Sequence, residues 1–440
     1  MQKMQNKIHF IGVGGIGLSA IARYLNQKGF NVQGSDIKNT ALLEKLRKEG
    51  IKVFIPQKEE NITDDIDTII YTAVAKENNP ERVGAKKKNI KTYSRREFLP
   101  ILLKDKKVIS VCGAHGKSTT TAILSSILDD ANALIGAESK EFNSNARVSE
   151  SELMVFEADE SDGSFIDSNP FIAVVTNTEP EHMEFYNHNL DKFYSHYEEF
   201  LKKAKIRVVN GDDDFIKKLD LPMKKVFIKE AKNIRYEIRD NQPKTIFEYK
   251  GYEFEVYGFG EHLVLDALLA IEAANEFMSL EKISKNIKNY KGIKKRFDIL
   301  QNEENFTLID DYGHHPTEIK ATLNSAKLFA KLNGIDKIIA IWQPHKYSRT
   351  IDNLDGFIKC FEGVDELVIL PVWAAGEEKV DIDFKKHFKK YNPIFANRII
   401  SKSKNIMLID EFGNVIKNYD KGLIIGFGAG DITYQLRGEI

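Results

Sequence analysis

Short apolar runs alternate along this chain with longer stretches in which apolar positions return every three or four residues. The runs include Ile8-His-Phe-Ile11, Asn31-Val-Gln33, Thr68-Ile-Ile-Tyr71, Leu153-Met-Val-Phe156 and Phe171-Ile-Ala-Val-Val175. A second series comprises Phe306-Thr-Leu-Ile309, Lys337-Ile-Ile-Ala-Ile341, Glu366-Leu-Val-Ile-Leu370 and Leu423-Ile-Ile-Gly426. Strands that are apolar throughout are covered on both faces, so this alternation with amphipathic helices predicts an α/β architecture of mostly parallel sheets. Thr245–Tyr257 alternates instead with a period of two and predicts an antiparallel hairpin. Helices are expected at Arg96–Leu103 and Leu265–Phe277.

Three openings from strand into glycine-bearing turn divide the chain into residues 1–105, 106–290 and 291–440. The first and third divisions are expected to be Rossmann-like, and the second to resemble a P-loop ATPase. Composition narrows the function classes: 42% of residues are apolar, 29% are charged and the formal net charge is −1. The lysine runs are scattered among acids, which argues against nucleic acid and membrane surfaces as partners. The segment Met1–Lys7 does not read as a signal peptide, and no apolar run is long enough to span a membrane. The only cysteines, Cys112 and Cys360, fall in a strand and a helix, so a reducing cytoplasm is expected, without disulfides or a cysteine metal site.

The chemistry lies in the turns. Val108–Cys112 runs into Gly113-Ala-His-Gly-Lys-Ser-Thr119, a shortened phosphate loop. Its backbone N–H groups and helix start suit a triphosphate, with Lys117 on the β/γ-phosphates and Ser118 on Mg²⁺. Gly12-Val-Gly-Gly-Ile-Gly17 with Asp36 at the end of the next strand suits a diphosphate and a ribose hydroxyl, from NAD(P) or a UDP-sugar, or else a structural tight turn. Glu157-Ala-Asp-Glu-Ser-Asp162 places acids at a strand end beside the loop, where Glu157 is the best-placed Mg²⁺ ligand. His182, also just past a strand, is a second candidate ligand or a surface histidine. His314, His315, His345, Lys346 and Arg349 follow two further strands and are expected to converge on one crevice that holds a carboxylate or phosphate. A histidine zinc site has no HExxH helix to support it.

Taken in this order, the segments resemble the Mur ligases over nearly the whole chain. The marks are GVGGIGLS from Gly12 to Ser19, GSD ending at Asp36, GAHGKSTTT from Gly113, EADESDGSF from Glu157, and TNTEPEHME from Thr176. They continue with DDYGHHPTE from Asp310, QPHKYSRT from Gln343 and GAGDI from Gly428. The resemblance implies a cytoplasmic ATP- and Mg²⁺-dependent amide ligase of peptidoglycan precursor synthesis, a monomer or weak homodimer, that joins L-alanine to UDP-N-acetylmuramate through an acyl phosphate. It also implies UDP-sugar contacts at Gly12, Gly14, Gly15, Gly17, Ser19 and Asp36. Nucleotide contacts would come from Gly113, Ala114, His115, Gly116, Lys117, Ser118, Thr119, His262, Asp266, Arg296 and Asp310. Ser118, Glu157 and His182 would hold the metal, and Tyr312, His314, Lys346 and Arg349 would line the alanine pocket. Lys117, Glu157, His182, His314 and Arg349 are the residues expected to carry catalysis. Where the family has HNVLNA this chain has His262-Leu-Val-Leu-Asp-Ala267, and where it has QPHRYTRT this chain carries Lys346. Three alternatives stay open: a recycling ligase that attaches a ready-made tripeptide, an NAD-dependent dehydrogenase, and a nucleotide-binding regulatory protein without turnover.

Overall fold

A computed structural model describes residues 7–439, so the reading of Met1–Asn6 lies outside it. The chain forms two compact units, one running to Glu230 and including Leu265–Lys291, the other made of Ala231–Val264 and the chain from Gly292 onward.

The first unit holds two sheets. Strands β1 (Lys7–Ile11), β2 (Asn31–Ser35), β3 (Lys52–Phe54), β4 (Thr68–Tyr71) and β5 (Lys91–Ser94) form an all-parallel sheet in the order β3-β2-β1-β4-β5. The order reverses direction at β1, so the glycine turn after β1 opens at the crevice where such sheets bind ligands. The second sheet contains β6 (Lys107–Cys112), β7 (Asn132–Ser139), β8 (Ser144–Arg147), β9 (Leu153–Glu157), β10 (Ile172–Val175), β11 (Ile206–Asn210) and β12 (Lys224–Val226). Its order is β12-β11-β10-β6-β9-β7-β8, parallel except for the β7–β8 pair. The phosphate loop therefore leaves a central strand, flanked by the two strands whose ends carry Glu157 and Thr176.

Arg23, on helix Ile16–Gln27, is completely buried and stitches the two sheets together. It bonds Glu49 through Nε at 2.6 Å and Nη2 at 2.8 Å, and Asn145 in β8 through Nη1 at 2.6 Å. A buried charge is tolerated only with such complete pairing.

In the second unit β13 (Lys232–Arg239), β14 (Gln242–Tyr249) and β15 (Tyr252–Tyr257) form an antiparallel sheet. The predicted hairpin is its β14–β15 half, turned by Lys250 and Gly251 at φ 49° and 83°, the sign a two-residue type I′ turn requires. This sheet packs with the second unit because Phe259, just after β15, lies against Tyr236 and Phe329, and its carbonyl accepts the Ser325 hydroxyl at 2.8 Å. The main sheet of this unit comprises β16 (Asp298–Glu303), β17 (Phe306–Asp311), β18 (Ile338–Trp342), β19 (Glu366–Ile369) and β20 (Ile394–Phe395). A small antiparallel sheet of β21 (Arg398–Lys402), β22 (Asn405–Ile409) and β23 (Val415–Tyr419) follows, and β24 (Gly422–Phe427) returns to the main sheet. The main order is β16-β17-β24-β18-β19-β20, parallel except for β16, and its four central strands β17, β24, β18 and β19 are largely buried where their apolar runs predict strands, whereas the edge strands β16 and β20 are more exposed.

Candidate active site

The turn after β1 is shaped by glycine. Gly12 has φ 84°, and a Cβ there would meet Thr72 at 2.6 Å. Gly12 and Val13 donate to the Ser35 carbonyl, Gly15 to the Gly12 carbonyl, and Gly14 to Asp36 Oδ2 at 2.9 Å. The other Asp36 oxygen takes the Ile37 N–H at 2.7 Å, so this carboxylate braces the turn. Gly15 caps helix Ile16–Gln27, and the first bond into the helix is from Ser19 to the Gly15 carbonyl. The outward donors are thus those of Ile16, Gly17 and Leu18, which have no acceptor among the described residues. Three such donors at a helix N-terminus are suited to an anion. The Ser19 side chain is buried and bonds the Ile16 carbonyl and Asn145, which makes it part of the packing between sheets.

The phosphate loop is held from behind. Asn177 Oδ1 accepts the His115 N–H at 3.3 Å, and Asn177 Nδ2 and Thr176 Oγ1 both donate to the His115 carbonyl. Gly113 has φ 134°, and a Cβ would lie 2.2 Å from Thr176 Oγ1. Gly116 caps helix Lys117–Ile127 at φ 80°, and a Cβ there would collide with the Asp266 carboxylate. Asp266 therefore stands beside the phosphate loop. Ala114 is buried, and Thr119 is half-buried in the first helical turn.

Lys117 donates to the carbonyls of Gly113 at 2.6 Å and Ala114 at 3.1 Å and to Glu160 Oε1 at 2.9 Å. Burial alone would favour its neutral form, but the charges of Glu160, Asp159 and Glu157 outweigh it and hold the ammonium above the ordinary lysine range. Ser118 Oγ donates to Glu157 Oε1 at 2.9 Å, while Gly136 N–H binds Glu157 Oε2 at 2.7 Å. Burial raises the Glu157 carboxyl and pushes Glu160 up to about 7 against the pull of Lys117. His182, at φ 53°, offers a ring nitrogen within 4.8 Å of carboxylate oxygens of Glu160 and Glu181. Glu160 Oε2 is buried without a hydrogen-bond partner among the described residues. A buried carboxylate oxygen of this kind is an acceptor for a cation. His115 Nε2 lies 3.1 Å from Glu179.

In the second unit the ends of β17 and β18 converge as the sequence predicts. His314 lies edge-on to Tyr312 and His345, with ring centroids 5.4 and 5.9 Å away, and its Nδ1 is 3.5 Å from Glu318. Arg296 pairs with Glu318 at 2.9 Å and reaches over the Tyr312 ring at 5.9 Å. Arg349 donates to His345 Nδ1 at 2.9 Å. Lys346 sits at the head of helix Tyr347–Asp352 with φ 69° and ψ 140°, a backbone conformation sparsely populated by side-chain-bearing residues. His315 bonds Asn353 at 3.2 Å. Strand alternation separates the neighbouring acids. Asp310 faces inward, fully buried, and accepts from Thr433 at 2.6 Å and Arg437 at 2.8 Å. Asp311 accepts the N–H groups of Phe297 and Gly313 and so fixes the turn that carries Arg296. Burial raises the Asp311 carboxyl to about 6, against the opposing charge of Arg296. His262 is exposed in the first turn of helix Glu261–Ala274.

Burial, and then the charges of Arg349, His314 and Lys346, lower His345 to about 4. The unfolded chain takes up a proton near pH 6.5 that the folded chain refuses until about pH 4, so this group costs stability as pH falls through that window. His345→Gln is therefore expected to lose less stability than the parent between pH 6.5 and 4 in paired denaturant melts. Parallel losses in the two proteins would refute this assignment.

Comparison with known proteins places the chain. The families described as Mur ligase family, catalytic domain, Mur ligase middle domain, and Mur ligase, glutamate ligase domain match residues 7–107, 111–274 and 295–404. The chain is a Mur ligase. It is 52% identical to the UDP-N-acetylmuramate–L-alanine ligase of Campylobacter curvus, over 98% of this chain and 99% of that one. With the enzyme of the same name from Helicobacter pylori it shares 51% identity over 99% and 97% of the two chains. The crystal structure of UDP-N-acetylmuramate-alanine ligase from Thermotoga maritima superposes with a TM-score of 0.82 at 27% identity, covering 98% and 97%.

In each unit of this Mur ligase, motif residues to which the sequence assigns no role take up defined positions. Glu160 and Glu181 stand nearer to His182 than the acid-run pattern alone could specify. Asp311 and Glu318 support Arg296 and His314 by contacts that only strand facing and the helix start define. The one sequence signal for Glu318 is its position three residues after His315, the spacing of a capping box, which the structure forms.

Proposed function

We propose that this Mur ligase joins L-alanine to the lactyl carboxylate of UDP-N-acetylmuramate, converting ATP to ADP and phosphate. The observation that carries this reading is end-to-end similarity, at about half identity, to ligases named for that reaction. The charged clusters around Lys117 and His314 support it. Residues 1–105 are assigned to the nucleotide sugar, 106–290 to ATP and 291–440 to the amino acid, in a cytoplasmic protein.

A carboxylate is a poor acyl donor because oxide is a poor leaving group. Its oxygen attacks the γ-phosphorus, ADP departs, and the acyl phosphate is then attacked by the free amine of alanine, with loss of a proton from nitrogen and expulsion of phosphate. Lys117 offsets negative charge on the transferring phosphoryl group. The loop N–H groups hold the triphosphate, and Tyr312, His314, Lys346 and Arg349 receive the alanine carboxylate. Ser118, Glu157 and His182 would hold Mg²⁺, and the buried Glu160 Oε2, without a hydrogen-bond partner among the described residues, fits a cation close by. Bound there, Mg²⁺ supplies positive charge to the triphosphate oxygens.

Amine preference tests the substrate assignment. L-Alanine is expected to support a rate far above that of the tripeptide L-alanyl-γ-D-glutamyl-diaminopimelate in a purified assay. The reverse order would establish the recycling reaction instead.

A further inference from the structure

A cavity of about 400 Å³ opens in the second unit beyond the carboxyl ends of β24, β18 and β19, three neighbouring parallel strands. Its wall is formed by Gln343 after β18, residues 371–373 after β19, Asp431 and Gln435 after β24, and Arg398 at the start of β21. Tyr312, His314, Lys346 and Arg349 do not line it. Open α/β sheets bind ligands beyond such strand ends, and the volume lies within the range of roughly 300–1,000 Å³ common to small-molecule sites.

Two buried amides fix Asp431 in the wall. Gln343 Nε2 donates to Asp431 Oδ1 at 2.6 Å, and Gln435 Nε2 donates to the same oxygen at 3.1 Å. Both glutamines are buried and their own oxygens are taken, Gln343 Oε1 by the Ile432 N–H at 3.1 Å and Gln435 Oε1 by the Ile399 N–H at 2.8 Å. Asp431 Oδ2 has no hydrogen-bond partner among the described residues. A carboxylate held on one side by locked donors and open on the other is a preorganised acceptor for an ammonium group. The Ile399 N–H bound by Gln435 adjoins Arg398, whose exposed guanidinium makes no hydrogen bond or ion pair with the described residues.

Trp373 supplies an apolar face. A Cβ on Gly430 would lie 2.7 Å from its Cγ, so the indole is seated against the turn that carries Asp431, and it is still 41% exposed. Its carbonyl accepts the Lys346 N–H at 2.9 Å, so the cavity borders the pocket proposed for alanine without sharing that pocket's side chains.

We infer that this cavity is a second binding site, which takes a zwitterion with an apolar body: the ammonium on Asp431, the carboxylate on Arg398 and the body against Trp373. A ligand with only negative charge is opposed by Asp431, and one with only positive charge by Arg398. Free amino acids with large apolar side chains and short apolar peptides share the required chemistry.

Tryptophan fluorescence of the full chain reads occupancy, because the other tryptophan, Trp342, is 1% exposed. The probes are L-leucine and L-leucyl-L-leucine, titrated beside N-acetyl-L-leucine, which lacks the ammonium, and L-leucinamide, which lacks the carboxylate. Both probes are expected to give a saturable change, and N-acetyl-L-leucine to bind roughly 10- to 100-fold more weakly than leucine, the value of a charge-assisted hydrogen bond. Leucinamide should lose only a few-fold, because a pair with the exposed Arg398 is screened. Asp431→Asn keeps an acceptor for the two glutamines and should weaken leucine without weakening N-acetyl-L-leucine further. Trp373→Phe should silence the signal while calorimetry still detects binding. Tighter binding of the dipeptide assigns the site to peptides, and tighter binding of leucine assigns it to free amino acids. Equal affinity for leucine and N-acetyl-L-leucine, or no saturable change with either probe, would overturn the inference. So would loss of leucine binding in Arg349→Ala with parent-like binding in Asp431→Asn, which would put the probe in the alanine pocket. Should Asp431→Asn give no cooperative melt, Arg398→Gln decides, since it should abolish the advantage of leucine over leucinamide.

Discussion

Lys117→Ala is expected to lower the rate of ATP-dependent ligation by about 10³-fold or more, since a single donor removed from a charge-stabilising site typically costs 10²–10³ and this one carries a full charge. The lysine contacts its own loop carbonyls and Glu160, so its ammonium is held beside the turn proposed above for the triphosphate. On the proposed mechanism its truncation removes positive charge where negative charge gathers during phosphoryl transfer, and it leaves Glu160, Asp159 and Glu157 without the cation they share. Burial already pushes Glu160 up to about 7, so it can take a proton when its partner is lost, which limits the damage to the fold. Steady-state phosphate release and thermal melts on the same preparation separate the effects. A rate within tenfold of the parent would remove Lys117 from the chemistry.

The largest stability loss is expected at Arg437→Ala, about 3–5 kcal/mol, the cost of removing one partner from a buried ionic cluster. Arg437 is the shared cation of Asp298 and Asp310, which are 4% and 0% exposed. Asp310 Oδ1 has no hydrogen-bond partner among the described residues even in the intact protein, and burial outweighs Arg437 and Thr433 to keep its carboxyl above the usual range. Without Arg437 two acids would share one buried space. Asp310→Asn in the same background should restore part of the loss by removing a charge. Denaturant titration reads both changes, and a loss below about 1 kcal/mol would mean that water reaches the acids and screens them.

The cluster shows where sequence reading stops. Asp310 and Asp311 are adjacent in one motif, yet the twofold alternation of β17 sends one into a structural ion pair and the other to the turn that bears Arg296. Arg437, the partner that fixes the role of Asp310, is far along the chain and belongs to no motif. The parallel strands were legible because an apolar run covered on both sides leaves little choice of structure. The glycine turns were legible because Gly12, Gly113 and Gly116 occupy positive φ or close approaches that other residues resist. β7–β8 and β21–β23 pair with their neighbours in sequence across short turns, but their runs mix polar and apolar residues without a clean period, so they carried little signal. The resemblance groups Asp266 with the nucleotide contacts, and it fills the space opened by Gly116, a meeting of two segments that spacing cannot reveal.

The most direct test of the central claim is phosphate release from ATP and Mg²⁺ by the purified chain, with UDP-N-acetylmuramate and L-alanine added singly and together. The account predicts sustained release only when both are present, with one UDP-N-acetylmuramoyl-L-alanine formed per phosphate. Release that proceeds equally without either substrate, or no product under any combination, would contradict it.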